Sequence, residues 1–318
     1  MEHTAAIPWE RETLEKLLFA ELRERRAARR WRIARTLLWM ALLALLLIPA
    51  FMDKVGSSIS SSGGGTHTAM VRIRGVIMDG ADSSAEHLLP ALRDALENKS
   101  SKALMLLINS PGGSAVQAGM IVDELRRLKK LHGKPIYAVV EDTCASAAYY
   151  IASAADSIYV DKASLVGSIG VLIDSFGFTS AMDKMGIECR LITAGDNKGF
   201  LDPFSPMSAE QLGYAQQLTG QIHQQFISVV REGRGERLKE TPDMYSGIIW
   251  TGEQSLALGL ADAYGSMDSV ARDIVKAEDI VEYTHKPDLA ERLTRELAGA
   301  FSHAAVGAAA ALRAPQVR

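Results

Sequence analysis

This 318-residue chain has few cysteines, few aromatics and almost no net charge. Two cysteines, Cys144 and Cys189, are too few for a disulfide framework, and neither stands in a CxxC or Cys/His cluster that would hold zinc. Its seven histidines are scattered and form no HExxH pair, so no metal site and no cofactor is expected. A net charge of −3 supplies no basic field for nucleic acid. Repeats at solenoid periods are absent. What is present is 47% hydrophobic and 23% charged, an ordinary globular composition. The length suits one large or two ordinary domains.

Long apolar runs are also scarce, with one exception. Residues 36–52, TLLWMALLALLLIPAFM, carry no charge, and seventeen residues is the short end of a transmembrane helix. The preceding segment, RERRAARRWRIAR (23–35), holds seven arginines and one glutamate, a flank that stays cytoplasmic. A cleaved signal peptide would need a shorter lead and an Ala-x-Ala site, and neither is here. Residues 1–35 therefore read as a basic amphipathic cytoplasmic segment, with Leu14, Leu17, Leu18 and Leu22 as its apolar stripe. Residues 53–68 read as a flexible Ser/Gly linker, 69–280 as the folded domain and 281–318 as a helical or disordered tail.

Within the domain, apolar segments of two kinds alternate. AMVRIRGVIMD, KALMLLIN, KPIYAVVE, DSIYVD and CRLIT (189–193) read as strands. SSAEHLLPALRDALE, SAVQAGMIVDELRRLKK and ASAAYYIASAA read as the helices between them. This order predicts an α/β fold on a parallel sheet. A long amphipathic helix is expected after Met207, and a short one from Gly252 to Gly259.

Two stretches carry the chemistry. NSPGG (109–113) ends a strand in a turn whose glycines leave main-chain N–H groups uncovered. EDTCASAAYY (141–150) places Ser146 among alanines at the start of the next helix. Together the two corners could bind a developing oxyanion; two ordinary tight turns packed with small residues would look the same. A serine nucleophile needs a base. His132 falls at an exposed helix end, and His87 and His223 fall inside helices, so none offers a triad. A lysine kept neutral by burial is the other option. Lys198 lies in a Gly-flanked loop, whereas its rival Lys184 sits inside a helix with Met182 and Met185. Cys144, two residues before Ser146, has no paired histidine and reads as a small buried residue.

Taken in order, SPGG, ASAAYY, VGSIGV (166–171), GDNKGFLDPF (195–204) and WTGEQSLALGLAD (250–262) resemble the S49 serine peptidases, the signal peptide peptidase A group. The resemblance runs from about Met70 to Val275. It implies a crotonase-like or Clp-protease-like α/β fold and a Ser–Lys dyad. Ser146 would be the nucleophile, Lys198 the general base and Ser168 the hydroxyl that orients the lysine. The N–H groups of Gly113 and Ala147 would form the oxyanion hole, with Gly112 the neighbouring alternative to Gly113.

The chain departs from the family where Ser146-Ala147-Ala148 replaces a Ser-Gly pair, and where Asp196 stands two residues before the lysine. The resemblance further implies a ring-like homo-oligomer and peptide substrates, signal-peptide remnants among them. With the anchor, it places the chain in a bacterial inner membrane: a single pass in contact with lipid, N-terminus cytoplasmic and peptidase domain periplasmic. Three other readings compete: an inactive tethered scaffold of the same fold, a membrane peptidase with stomatin-like partners, and a thioester-processing crotonase-fold enzyme. The last would need an acyl-CoA site.

Overall fold

A computed structural model of the chain describes residues 31, 35–40 and 65–284. Residues 35–40 are helical and exposed. The rest of the apolar run, the amphipathic stripe before it, most of the linker and nearly all of the tail lie outside the described residues. Among the described residues, no helix is long and apolar enough to cross a membrane. The sheet belongs to the compact unit Gly64–His285.

That sheet has eight strands, β1 (His67–Arg74), β2 (Ser101–Ser110), β3 (Ile136–Ala145), β4 (Ser157–Val160), β5 (Leu165–Gly167), β6 (Ile249–Thr251), β7 (Ala263–Tyr264) and β8 (Ile280–Glu282). Their order is β6-β5-β3-β2-β1-β8, with β4 pairing β3 and β7. Six pairings are parallel, and only β5–β6 is antiparallel. The expected parallel sheet is thus a mixed one. β1 begins two residues inside the segment read as linker, and His67 and Thr68 are buried.

Helices α1 (Ala85–Glu97), α2 (Ala115–His132) and α3 (Ala147–Ala152) follow β1, β2 and β3. α2 starts at Ser114, whose hydroxyl accepts from Gln117 N–H, and stops at Gly133 in the left-handed region. α4 (Thr179–Met185) and α5 (Ala209–Arg234) come next, the second opened by a capping box between Ser208 and Gln211. α6 (Gly252–Ala257) and α7 (Met267–Ser269) follow, the second continued by a π-helical segment, Val270–Val275.

The core explains why β2 reads as a continuous apolar run. Leu104, Leu106 and Ile108 face one buried cluster with α1, α2 and α3, while Met105 and Leu107 face another with Met70, Val139 and Tyr159. A strand covered on both faces has no polar side to show.

β3 does two jobs. Tyr137–Val139 pair with β4, and Thr143–Ala145 pair with β5. A register shift against β2 between Ile108 and Ser110 lets it change partners. The expected strand over 189–193 does not form. Those residues follow the Gly186 cap of α4 as exposed chain with no partner strand, and a short apolar stretch alone cannot satisfy a strand's main chain.

Candidate active site

β2, β3 and β5 lie side by side, and their carboxyl ends deliver three of the sequence motifs to one place. Ser110 pairs with Cys144, and Ala145 pairs with Gly167. The Pro111-Gly112-Gly113 turn, Ser146 and Ser168 therefore emerge next to each other. Carboxyl ends of parallel strands are where α/β proteins bind ligands.

Ser146 has φ +53° and ψ −124°, a conformation that costs an L-residue about 1–3 kcal/mol. Its N–H donates to Gly167 O at 2.8 Å, and its own carbonyl accepts from Tyr150 N–H at 2.9 Å. These bonds hold the hydroxyl at the head of α3 despite the strain. Ala147 and Ala148 are both buried, so the alanines that replace the family's glycine are accommodated in the packing.

The turn beside it needs its glycines. At Gly112, φ is +101° and a Cβ would lie 2.6 Å from Ala145 O and 2.7 Å from Ser146 Cβ. At Gly113 a Cβ would lie 2.1 Å from Ile77 O. The hydrogen bonds separate the two: Gly112 N–H donates to Ser110 Oγ at 3.1 Å. The bridge to Ile77 uses Gly112 O and Ser114 N–H, and leaves Gly113 N–H without an acceptor among the described bonds. Ala147 N–H, in the first turn of α3, is likewise uncommitted. Gly113 N–H and Ala147 N–H, both at the cavity lining, thus have no acceptor among the described bonds. Gly113→Ala is expected to lower stability by roughly 2 kcal/mol or more, because the Ile77 bridge must open to admit the methyl group. Thermal unfolding checks this, and an unchanged melting temperature contradicts the close approach.

Ser168 takes φ +49° in a turn held by two bonds, its N–H to Ile248 O at 2.8 Å and Gly170 N–H to its own carbonyl at 2.9 Å. A Cβ on Gly167 would lie 2.9 Å from Trp250 Cδ1, so the indole packs where a side chain would stand. The later part of the same block has a separate role. Arg234, fully buried, donates to both Asp262 oxygens at 2.8 Å and to Gly259 O at 3.0 Å. Tyr149 Oη donates to Leu260 O at 2.8 Å. WTGEQSLALGLAD is therefore scaffold for the site rather than part of its chemistry.

Gly113, Ser146, Ala147 and Ser168 all line one cavity of about 780 Å³. Its walls are Val116, Tyr150, Leu172, Ile222 and Phe226, with the Tyr150 and Phe226 rings 5.1 Å apart. Sequence reading missed the α5 wall, because Ile222 and Phe226 look like any apolar stripe on an amphipathic helix. A second cavity of about 750 Å³, at Arg72, Glu141, Asp161 and Tyr264, contains none of the nominated residues.

Lys198 is not among the residues lining the Ser146 cavity. It sits exposed in a chain of turns, with Lys198 N–H donating to Gly195 O and Phe200 N–H to Asn197 O, both at 3.1 Å. The loop is clipped down by Phe200 against Tyr214 and by Phe204 stacked on Phe178. Asp196 beside it is exposed too. The surrounding segment displays large apolar side chains, among them Leu172 (81% exposed), Phe176 (71%) and Ile192 (94%).

Neither cysteine competes as a nucleophile at the site. Cys144 is fully buried, and burial pushes its thiol far above the ordinary range, so no thiolate forms. Cys144 and Cys189 are both free. His223 Nε2 lies 3.1 Å from Ile169 O and is committed there.

Residues 128–280 match the model of peptidase family S49. Over 212 residues the chain is 42% identical to a protein of Brucella abortus (strain 2308) named Na(+)/H(+) antiporter NhaA, which covers 65% of this chain and 29% of that protein. It is 32% identical over 204 residues to a candidate protease of Methanocaldococcus jannaschii, covering 63% of this chain and 65% of that one. It is 29% identical over 217 residues to Protease 4 of Haemophilus influenzae, covering 67% and 34%. A solved mutant of the 1510-N membrane-bound stomatin-specific protease aligns at 13% identity and a TM-score of 0.45, over 70% of this chain and 99% of that one. The chain spans less than two thirds of the length of these three curated relatives. By the family model and these relatives, the part of the chain that carries Ser146 and Ser168 is similar to peptidase family S49.

Proposed function

We propose that the chain is a membrane-anchored serine endopeptidase that cleaves apolar peptides, signal-peptide remnants among them. The observation that carries this reading is the placement of Ser146. It stands strained between two uncommitted main-chain N–H groups at the edge of an apolar-walled cavity. In the reaction, Ser146 Oγ attacks the peptide carbonyl carbon as its proton passes to a neutral Lys198 Nζ. The carbonyl oxygen becomes an oxyanion held by Gly113 and Ala147 N–H. The lysine returns the proton to the leaving amine, and water then releases the acyl group by the same route. Ser168 orients the lysine.

Lys198 reaches Ser146 in this proposal when copies of the chain assemble. Two observations support that: the lysine is exposed and outside the cavity lining, and the segment around it presents apolar side chains to solvent. Docking there would also exclude the water that keeps a lysine charged. Residues 36–52 would anchor the assembly in an inner membrane, with the basic flank on the cytoplasmic side and the peptidase domain periplasmic.

The test is complementation with the full chain in detergent and a labelled apolar peptide. The parent is expected to cleave, and Ser146→Ala and Lys198→Ala each to fail. An equal mixture of the two variants should recover about a quarter of parent activity, since one in four randomly paired sites then joins an intact serine to an intact lysine. No recovery places the dyad within one copy. Parent-like cleavage by Lys198→Ala means another group is the base. A parent that assembles but never cleaves supports the tethered scaffold.

A further inference from the structure

We propose that His223 is a positioning residue for the Ser146 site, its Nε2–H holding the turn that carries Ser168 against α5. The proposal rests on Ser146 being the nucleophile. The His223 ring reaches across from α5 to Ile169 O at 3.1 Å, a half-buried contact spanning 54 residues of sequence. A carbonyl oxygen only accepts, so Nε2 carries the hydrogen and the neutral ring has its acceptor nitrogen at Nδ1.

The turn it holds has one internal bond, Gly170 N–H to Ser168 O at 2.9 Å, and depends on ties from outside for the rest. Ser168 is a non-glycine residue at φ +49°, and such residues persist only where their surroundings over-determine them. On one side the turn is tied to the chain entering β6, through Ser168 N–H and Ile248 O. On the other side His223 supplies the tie to α5. Releasing it would let Ser168 relax toward ordinary backbone angles and swing its hydroxyl away from Ser146. The same helix turn carries Ile222 and Phe226, two walls of the cavity. One hydrogen bond therefore keeps Ser168 and the apolar wall in a fixed relation. A residue that only packed would need no directed donor at this position.

The experiment compares the full-length parent with His223→Leu, which fills the space without a donor, and His223→Gln, which returns an N–H at similar reach. Rates on the labelled apolar peptide are divided by the concentration of sites that a serine-reactive phosphonate titrates. His223→Leu is expected to lower kcat about tenfold with KM within about twofold, the loss of one donor to a buried acceptor. His223→Gln should return kcat to within about threefold of the parent. Where the leucine variant does not accumulate folded, His223→Ala takes its place with the same expected fall. Parent-like kcat in the donorless variant overturns the proposal, as does a glutamine variant no better than the leucine one. A parent that neither cleaves nor titrates sinks the nucleophile reading, and the positioning role with it. A cleaving parent with an indifferent His223→Leu sinks the positioning role alone.

Discussion

Ser146→Ala should abolish cleavage, with kcat falling at least about 1,000-fold and the residual rate owed to binding and the oxyanion donors alone. Labelling by a serine-reactive phosphonate should vanish in parallel. The fold should survive, because the hydroxyl is not what holds residue 146 in place. That work falls to its N–H on Gly167 O and its carbonyl under Tyr150 N–H, and alanine keeps both. Ser146→Gly sharpens the result. Glycine tolerates φ +53° without penalty, so this variant should be inactive yet more stable than the parent by about 1 kcal/mol. Activity traded against backbone strain at one residue is what a nucleophile site predicts, and a packing residue predicts no such trade. Cleavage that survived Ser146→Ala would require a different nucleophile. Cys144 would not supply it, since burial keeps its thiol protonated.

Asp262→Ala should produce the largest loss of stability. Arg234 has no exposed side-chain surface, and both of its bonds to Asp262 would go. Leaving a buried guanidinium without its counter-ion costs about 3–5 kcal/mol. The substitution would also free Ile158 N–H, which donates to Asp262 Oδ2 at 2.7 Å. Denaturant unfolding checks the size, and a change below 1 kcal/mol would mean that the pair is not what joins α5 to residues 258–262.

Replacing both partners with apolar residues should cost far less than removing one. The pair also has a pH signature. Burial raises the Asp262 carboxyl, but hydrogen bonds from Arg234 and from Ile158 N–H outweigh it and leave the group below its usual value. A carboxyl depressed in the folded state contributes stability that is present above its unfolded value, about 4, and lost as pH falls through the lower folded one. Parent stability should therefore decline on acidification below about pH 4, and Asp262→Asn should lack that part of the decline.

Much of this was legible in the chain itself. β2 was visible as an unbroken apolar run, because a strand buried on both faces has no alternation to lose. The glycines of the turn and the alanines around Ser146 were visible as small residues where backbones approach closely. CRLIT misled because a short apolar stretch reports only local preference, and whether a partner strand lies alongside is decided elsewhere in the chain. β6 and β8 escaped notice for the converse reason. Each is three residues long and exists only because β5 or β1 offers an edge.

By itself the sequence determined which residue types stand at the strand ends and how the strands and helices alternate. Those depend on local spacing and on burial patterns written in neighbouring residues. Tertiary structure decided the rest. Lateral pairing of β2, β3 and β5 put Ser146 between Gly113 and Ser168, although 33 residues separate the first two along the chain. Hydrogen bonding chose Gly113 over Gly112 as the free donor, since the Ser110 hydroxyl had already taken Gly112 N–H. Tertiary structure also left Lys198 exposed in a loop outside the cavity lining, which its position in the sequence did not reveal. Contacts between distant segments have no signature in local sequence, and the site is made of such contacts.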